Sequence, residues 1–479
     1  MKKYVKILFL LVSFFAVVLY LNSCNQSNPD NSEEKSSVQT TNTERIEEMG
    51  TNFFDSRFMV FGIWNFTITP QSTLEAAADR VAESGFNAIR LHLPWFHVEK
   101  EPGIYDYSVF DAQIDYIINV KKMKVAISVD LCREVTIDSG RNITYSDKVI
   151  DKEDFQVNSK GELCVGGAYI NKAVISYASG PATDKAVAFY ADVVRRYSEK
   201  YGNMILYYVP TFTQYCETEY WCADTYDYSK HMTDGFKKFL KDKYTTIEQL
   251  NDATNKDFTD FGVIEPPASF SGEYGKQWYL YRHAVLKNFI DRLCDAQHEI
   301  APQSKTALQF GSVFDEASAL RCTYKFIDLA EKADIVWVDD APSYDHNFSM
   351  DYLKSNLDGK EFANEMDGAY HIVNGTATPE IYLKQAAETF RRHANYLSVA
   401  NWSVDENFEK YRYIFTETSE QYHNDTPDLV QVSPDAPEIK VSLADMFKRR
   451  SSTKLIKEYN ELSDKGKNFV RITIIDDLN

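Results

Sequence analysis

Two apolar runs far apart in the chain each end in glutamate: Ile205 through Glu217, and Lys360 through Glu365. Each run reads as a buried strand, and an acid at the mouth of a buried strand stands where a parallel barrel builds its chemistry. Paired carboxylates of this kind cut glycosidic bonds. One protonates the leaving oxygen while the other attacks the anomeric carbon or activates water. The first run ends in Glu217, with a second acid, Glu219, two residues beyond it; only one of them is expected to face the cleft, and the other is left to be salt-bridged or to orient it.

The elements that must carry these acids alternate regularly. Phe58 to Trp64 reads as a strand, and Thr73 to Ser84 as a helix whose Leu74, Ala77, Ala78 and Val81 recur at helical spacing until Gly85 stops it. Strands follow at 86–95, 124–130, from 204 onward, 305–310, 334–339, 361–364 and 396–402. Helices fall between them, at 110–120, 183–201, 232–244, 276–300, 324–332, 350–357 and 379–394, with a last one within 442–462. Cys132 to Gly180 is polar and irregular, and reads as a long insertion after the third strand. Eight alternations are what a (β/α)8 TIM barrel requires. A doubly wound sheet needs neither eight strands nor acids closing both the fourth and the seventh. There is no Gly-x-Gly-x-x-Gly after the first strand, no phosphate-binding loop and no solenoid repeat, so nucleotide chemistry is not expected.

Lys2, Lys3 and Lys6 precede an apolar stretch from Ile7 to Leu21, the pattern of an export signal rather than a membrane span. Leu21-Asn22-Ser23-Cys24 resembles a bacterial lipobox, which makes Cys24 the expected lipidation site and places the protein in the cell envelope on a lipid anchor. The organisation expected is a signal over 1–23, a polar tether over 24–50 that cannot bury a core, and a catalytic domain over 51–479. With 44% hydrophobic and 14% aromatic residues that domain can form a large core. A formal charge of −19 repels nucleic acid and anionic lipid, leaving neutral ligands such as oligo- or polysaccharides as expected partners. The chain has 31 Tyr and 30 Phe, and flat rings suit the apolar faces of sugars, although most belong in the core. Six cysteines remain after Cys24, with no Cys-x-x-Cys and no His pair to complete a zinc set. Buried thiols, no metal and no cofactor are expected.

The stretch Phe86–Asp111, with Arg90, Trp95 and the run from Val98 to Tyr107, resembles the early strands of the β-galactosidase-type barrels of glycoside hydrolase families 42 and 35. The segment from Phe236 to Tyr244, with Ile247, Leu250, Asn251, Phe258 and Pro266-Pro267 beyond it, is similar to the family 42 segment that comes after the acid/base strand. This resemblance covers roughly 55–405 and does not extend to the C-terminal domains of full-length family members. It implies an acid/base at the end of the fourth strand and a nucleophile at the end of the seventh, where Glu365 stands in Phe-Ala-Asn-Glu-Met-Asp-Gly; Asp367 is the alternative. At the fourth strand the family usually shows Asn-Glu, often before Tyr-Gly. Aligning on Glu-Tyr selects Glu219, whereas counting from Ile205 selects Glu217 and is similar to the strand-four region of β-amylases.

The resemblance further implies that Arg90 sets its charge against the nucleophile and that Trp402 floors the sugar subsite. Trp95, Asn364, Trp337, Asp130 and Asp339 also fall at expected strand ends and are candidates for stacking on rings or bonding hydroxyls. His92 and His97 read as packing residues. The expected reaction is hydrolysis of β-linked glycosides, β-galactosides foremost, retaining if the family resemblance governs and inverting if the β-amylase-like spacing does. The rival from another class is a non-catalytic glycan-binding lipoprotein on the same barrel.

Overall fold

The computed structural model describes residues 57–137, 143–144, 147–166, 171–340, 346–400, 402, 404–424, 428–449 and 452–478. The expected signal, tether and Cys24 lie outside the described residues. No described helix is long and apolar enough to cross a membrane.

Eight parallel strands close a barrel: β1 Phe58–Ile63, β2 Ala88–Pro94, β3 Lys124–Asp130, β4 Ile205–Thr211, β5 Ala307–Phe310, β6 Ile335–Asp340, β7 Glu361–Met366 and β8 Tyr396–Val399. Neighbours in sequence are neighbours in the sheet, β8 returns to β1, and a bridge between Tyr208 and Thr306 joins β4 to β5. The (β/α)8 expectation is borne out. Strand alternation explains the double core. Phe58, Val60, Ala88, Ala126, Tyr207, Val209, Ala307, Trp337, Ala363 and Tyr396 form a cluster inside the barrel. Residues of opposite parity, such as Met59, Ile89, Val125, Tyr208, Leu308, Val336, Phe362 and Leu397, pack outward into the helix layer.

The helices come close to where periodicity puts them. Gln71–Glu83 buries Leu74, Ala78 and Val81, and the chain then turns at Gly85, whose φ of +87° suits glycine. A β-carbon at Gly85 would also collide with the Ser419 side chain. Gly180–Tyr201 is capped by Ser179, which accepts from the Ala182 amide at 3.2 Å. Gly272–Ile300 is the longest helix between β4 and β5. The insertion after β3 contributes a small antiparallel sheet in which Lys172–Ala173 pairs with both Arg133–Glu134 and Val165–Gly166. Beyond the barrel, Glu438–Ser442 and Arg471–Ile475 form a parallel pair that periodicity did not anticipate.

Candidate active site

Two residues beyond Ala88, Ala126, Ala307, Ala363 and Tyr396, toward the C-terminal ends of the strands, the inward positions become polar: Arg90 on β2, Ser128 on β3, Gln309 on β5, Glu365 on β7 and Ser398 on β8. Four of these five bond to one another. Arg90 donates through Nη1 to Glu365 Oε2 at 3.1 Å and through Nη2 to Gln309 Oε1 at 2.8 Å. Gln309 Nε2 donates to Glu365 Oε1 at 3.2 Å, and Ser398 Oγ to Oε2 at 3.2 Å. Three donors therefore converge on one carboxylate and fix its position. The Arg90 guanidinium lies 4.6 Å from the Trp64 ring centre and 5.1 Å from that of Trp337, so aromatic faces restrain the cation as well. Burial pushes the Glu365 carboxyl above the usual glutamate range; Arg90 pulls it back, and Asp367 adds to the rise.

The run from Ile205 does not stay extended to Glu217. Its strand ends at Thr211, and a tight turn follows in which the amides of Phe212 and Thr213 both bond to the Glu217 carbonyl, at 3.1 and 3.2 Å. Cys216 supplies the turn with a φ of +74°, a conformation that L side chains seldom adopt. The chain then rejoins the barrel, where the Thr218 amide bonds to the Gln309 carbonyl at 2.6 Å.

This turn separates the two candidate acids. Glu219 is fully buried; Oε1 is ion-paired with Arg321, and Oε2 accepts from the Gly311 amide at 2.9 Å. Burial pushes its carboxyl up to about 8, against the pull of Arg321 and with a further push from the Glu217 charge. Glu217 has one oxygen, Oε2, on the Thr213 hydroxyl and is 5% exposed, compared with 1% for Glu365. Geometry thus commits both oxygens of Glu219 to the framework, while Oε1 of Glu217 makes no hydrogen bond to another described group.

The other sequence candidates fall into place by parity. Asn364, the outward neighbour of Glu365, bonds to His346 at 2.7 Å and to Thr389 at 2.8 Å among the helices. Trp95 is buried, stacks on Phe189 and donates to Glu99 at 2.5 Å. Trp402 is buried edge-on against Tyr382 and Phe415 and donates to the Asp367 carbonyl at 3.2 Å. Among the described residues, none of these three hydrogen-bonds to the Glu365 carboxylate. Trp337 lies one layer below it, inside the barrel against Tyr207. Asp339, one residue before the end of β6, is in register with Glu365. His97 bonds to the Phe66 carbonyl at 3.1 Å. Asp130 and His92 form a separate buried cluster with Lys172 and Cys216. Sequence reasoning passed over Trp64, Gln309 and Ser398. A polar residue at an inward position of an otherwise apolar strand was the available signal for the last two.

All six cysteines after Cys24 are free; Cys222 is half-buried and the rest are buried. His92, Asp130 and Cys216 are the one group of metal-type ligands found among the described residues, their candidate atoms within 4.8 Å of one another.

With this geometry in view, the architecture is a β-galactosidase-type (β/α)8 barrel similar to glycoside hydrolase family 42. The family 42 β-galactosidase model matches residues 184–377. The chain is 26% identical over 220 residues to β-galactosidase BbgII of Bifidobacterium bifidum, a match covering 44% of this chain and 29% of that protein. Among solved structures, a β-galactosidase of the haloarchaeon Halorubrum lacusprofundi superposes with a TM-score of 0.64 at 15% identity, over 87% of this chain and 66% of that one. The catalytic domain of a Paenibacillus polymyxa β-amylase superposes with a TM-score of 0.59 at 13% identity, over 76% of this chain and 99% of that one. The chain spans about three tenths of the curated relative's length.

Proposed function

We propose that the protein is a β-glycoside hydrolase acting on β-galactosides by double displacement, with Glu365 as nucleophile and Glu217 as acid/base. The observation that carries this reading is the Glu365 carboxylate at the end of β7, held by Arg90, Gln309 and Ser398. Glu365 attacks the anomeric carbon as the glycosidic C–O bond breaks, and the departing oxygen takes the Glu217 proton. Water then gives its proton to Glu217 and attacks the same carbon, releasing Glu365 and a sugar of retained configuration. Arg90 keeps the nucleophile ionised and oriented until it attacks. Glu219 acts at one remove, fixing the turn through Arg321 and Gly311.

The test is hydrolysis of 4-nitrophenyl β-galactoside. Glu365→Gln is expected to abolish it, a 2-deoxy-2-fluoro galactoside to label Glu365, and NMR to show the β-anomer of the product first. Labelling at another residue, or an α-anomer formed first, refutes the assignment.

The near-complete burial of Glu365 favours one second reading, a glycan-binding barrel without turnover. Tight oligosaccharide binding with no hydrolysis of any aryl glycoside would establish it. The lipobox resemblance supports envelope anchoring through Cys24. Cys24→Ala is expected to release the protein from the membrane fraction, and unchanged fractionation refutes the anchor.

A further inference from the structure

Beside the Glu365 site, a second polar cluster surrounds Lys172, a fully buried lysine delivered by the insertion after β3. Its Nζ donates to Asp130 Oδ2 at 2.6 Å and to Cys216 Sγ at 3.6 Å. His92 Nε2 lies 3.1 Å from the same Asp130 oxygen and 3.3 Å from the same sulfur. The second Asp130 oxygen accepts from the Cys132 amide at 2.9 Å, and the Cys132 thiol donates to the carbonyls of Phe212 and Thr213 at 3.4 and 3.3 Å. Everything in this cluster grips the 212–217 turn, and Cys216 immediately precedes Glu217.

The side-chain types explain why a lysine is needed. His92, Asp130 and Cys216 resemble a metal ligand set, yet the Lys172 ammonium already stands against two of the three. Burial lowers His92 to about 4, so the ring is neutral and cannot balance the aspartate. Lys172 and His92 together hold the Asp130 carboxyl well below its usual range despite burial. Burial keeps the Cys216 thiol protonated by pushing it up to about 12. Lys172 Nζ stands 2.6 Å from the buried Asp130 carboxylate, and without it that aspartate would lose its counter-charge.

We propose that Lys172 is a positioning residue, its ammonium a built-in cation that clamps Asp130 of β3 to the Cys216 turn and so aims the Glu217 carboxyl at the leaving oxygen. The proposal rests on Glu217 being the acid/base. It separates Lys172 from ordinary packing because a misaimed acid harms only those substrates whose leaving group needs a proton.

The experiment measures kcat/KM of the full chain on phenyl β-galactoside and on 2,4-dinitrophenyl β-galactoside, whose leaving group departs unprotonated. Lys172→Met is expected to lose about 10²-fold on the phenyl substrate, the lower range of general acid catalysis, and about threefold or less on the dinitrophenyl one. Cys216→Ala, a smaller truncation that keeps the ion pair, is expected to show the same selectivity at about tenfold, and decides the matter if Lys172→Met does not fold. Equal losses on both substrates, or no loss, overturn the proposal. Glu217→Ala is the control. If it is selective and the Lys172 and Cys216 variants are not, the clamp alone fails; if Glu217→Ala is itself unselective, the acid/base assignment fails and the clamp with it.

Discussion

Replacing Arg90 by methionine removes the guanidinium that holds Glu365 and leaves a buried carboxyl with two neutral donors, Gln309 and Ser398. Such a group escapes an uncompensated charge by taking up a proton, and the cost of doing so sets a ceiling on the damage. An unfolded glutamate ionises near pH 4.3, so keeping Glu365 protonated at pH 7 spans a little under three pH units at about 1.4 kcal/mol each, about 3.7 kcal/mol. At pH 5 the same cost falls to about 1 kcal/mol. The sign follows from proton binding. Between the unfolded value and the raised folded one, the native state holds a proton that the unfolded chain has lost, so stability falls as pH rises. Burial already raises Glu365 in the parent, which shares part of this slope, so these figures are upper bounds on the difference between variant and parent. Urea denaturation at pH 5 and pH 7 of the parent, Arg90→Met and Arg90→Met/Glu365→Gln reads the effect directly. The single variant should lose more stability at pH 7, and the double variant should lose that pH dependence. A loss independent of pH in the single variant, or a slope that survives in the double, refutes the account of Arg90 as the counter-charge of Glu365.

Arg321→Met removes the partner of Glu219 Oε1; because burial already pushes that carboxyl up to about 8, it stays protonated at pH 7, and the change should cost about 1–3 kcal/mol in denaturation experiments, the penalty of a buried polar group left unpaired. It should leave the preference between aryl leaving groups unchanged, since Glu219 is framework; a changed preference would instead favour Glu219 as the acid. Because burial raises Glu365 and a nucleophile must be ionised, the acidic limb of kcat/KM should fall as pH drops through a value above the ordinary 4.5, a limb at or below 4.5 being the contrary result. Trp64→Phe keeps the ring beside Arg90 but removes an indole N–H that has no hydrogen-bond partner among the described residues. Melting should barely change, and KM for a galactoside should rise about tenfold if a sugar hydroxyl takes that donor, the worth of one hydrogen bond; an unchanged KM would remove Trp64 from the sugar site.

All eight strands were legible in the sequence because a barrel wall is apolar on both faces and each strand is followed by a helical repeat. Glu365 was legible because a short strand runs straight into it. The fate of Glu217 and Glu219 was not, since residues two apart in an extended segment share a side and alternation alone cannot part them. What parts them is a turn with a left-handed cysteine and an arginine 102 residues further on, both tertiary facts. Asn364 was a sugar-ligand candidate because it ends the expected seventh strand, but the inward position of Glu365 turns its neighbour toward the helices, onto His346 and Thr389. Trp95 and Trp402 sit just past strand ends, where the chain has left the axis, and packing against Phe189 and Phe415 claimed them.

Seven of the eight joints between barrel strands are laddered over four or more residue pairs, but β4 and β5 share the lone bridge from Tyr208 to Thr306. Higher up, this seam is basted by the Thr218–Gln309 bond and by Glu219 reaching Gly311. Thermal breathing should therefore begin there, with amide exchange fastest along that edge of the cylinder. If Glu217 is the acid, as proposed, the wall is most willing to part beside the residue that would serve a long glycan.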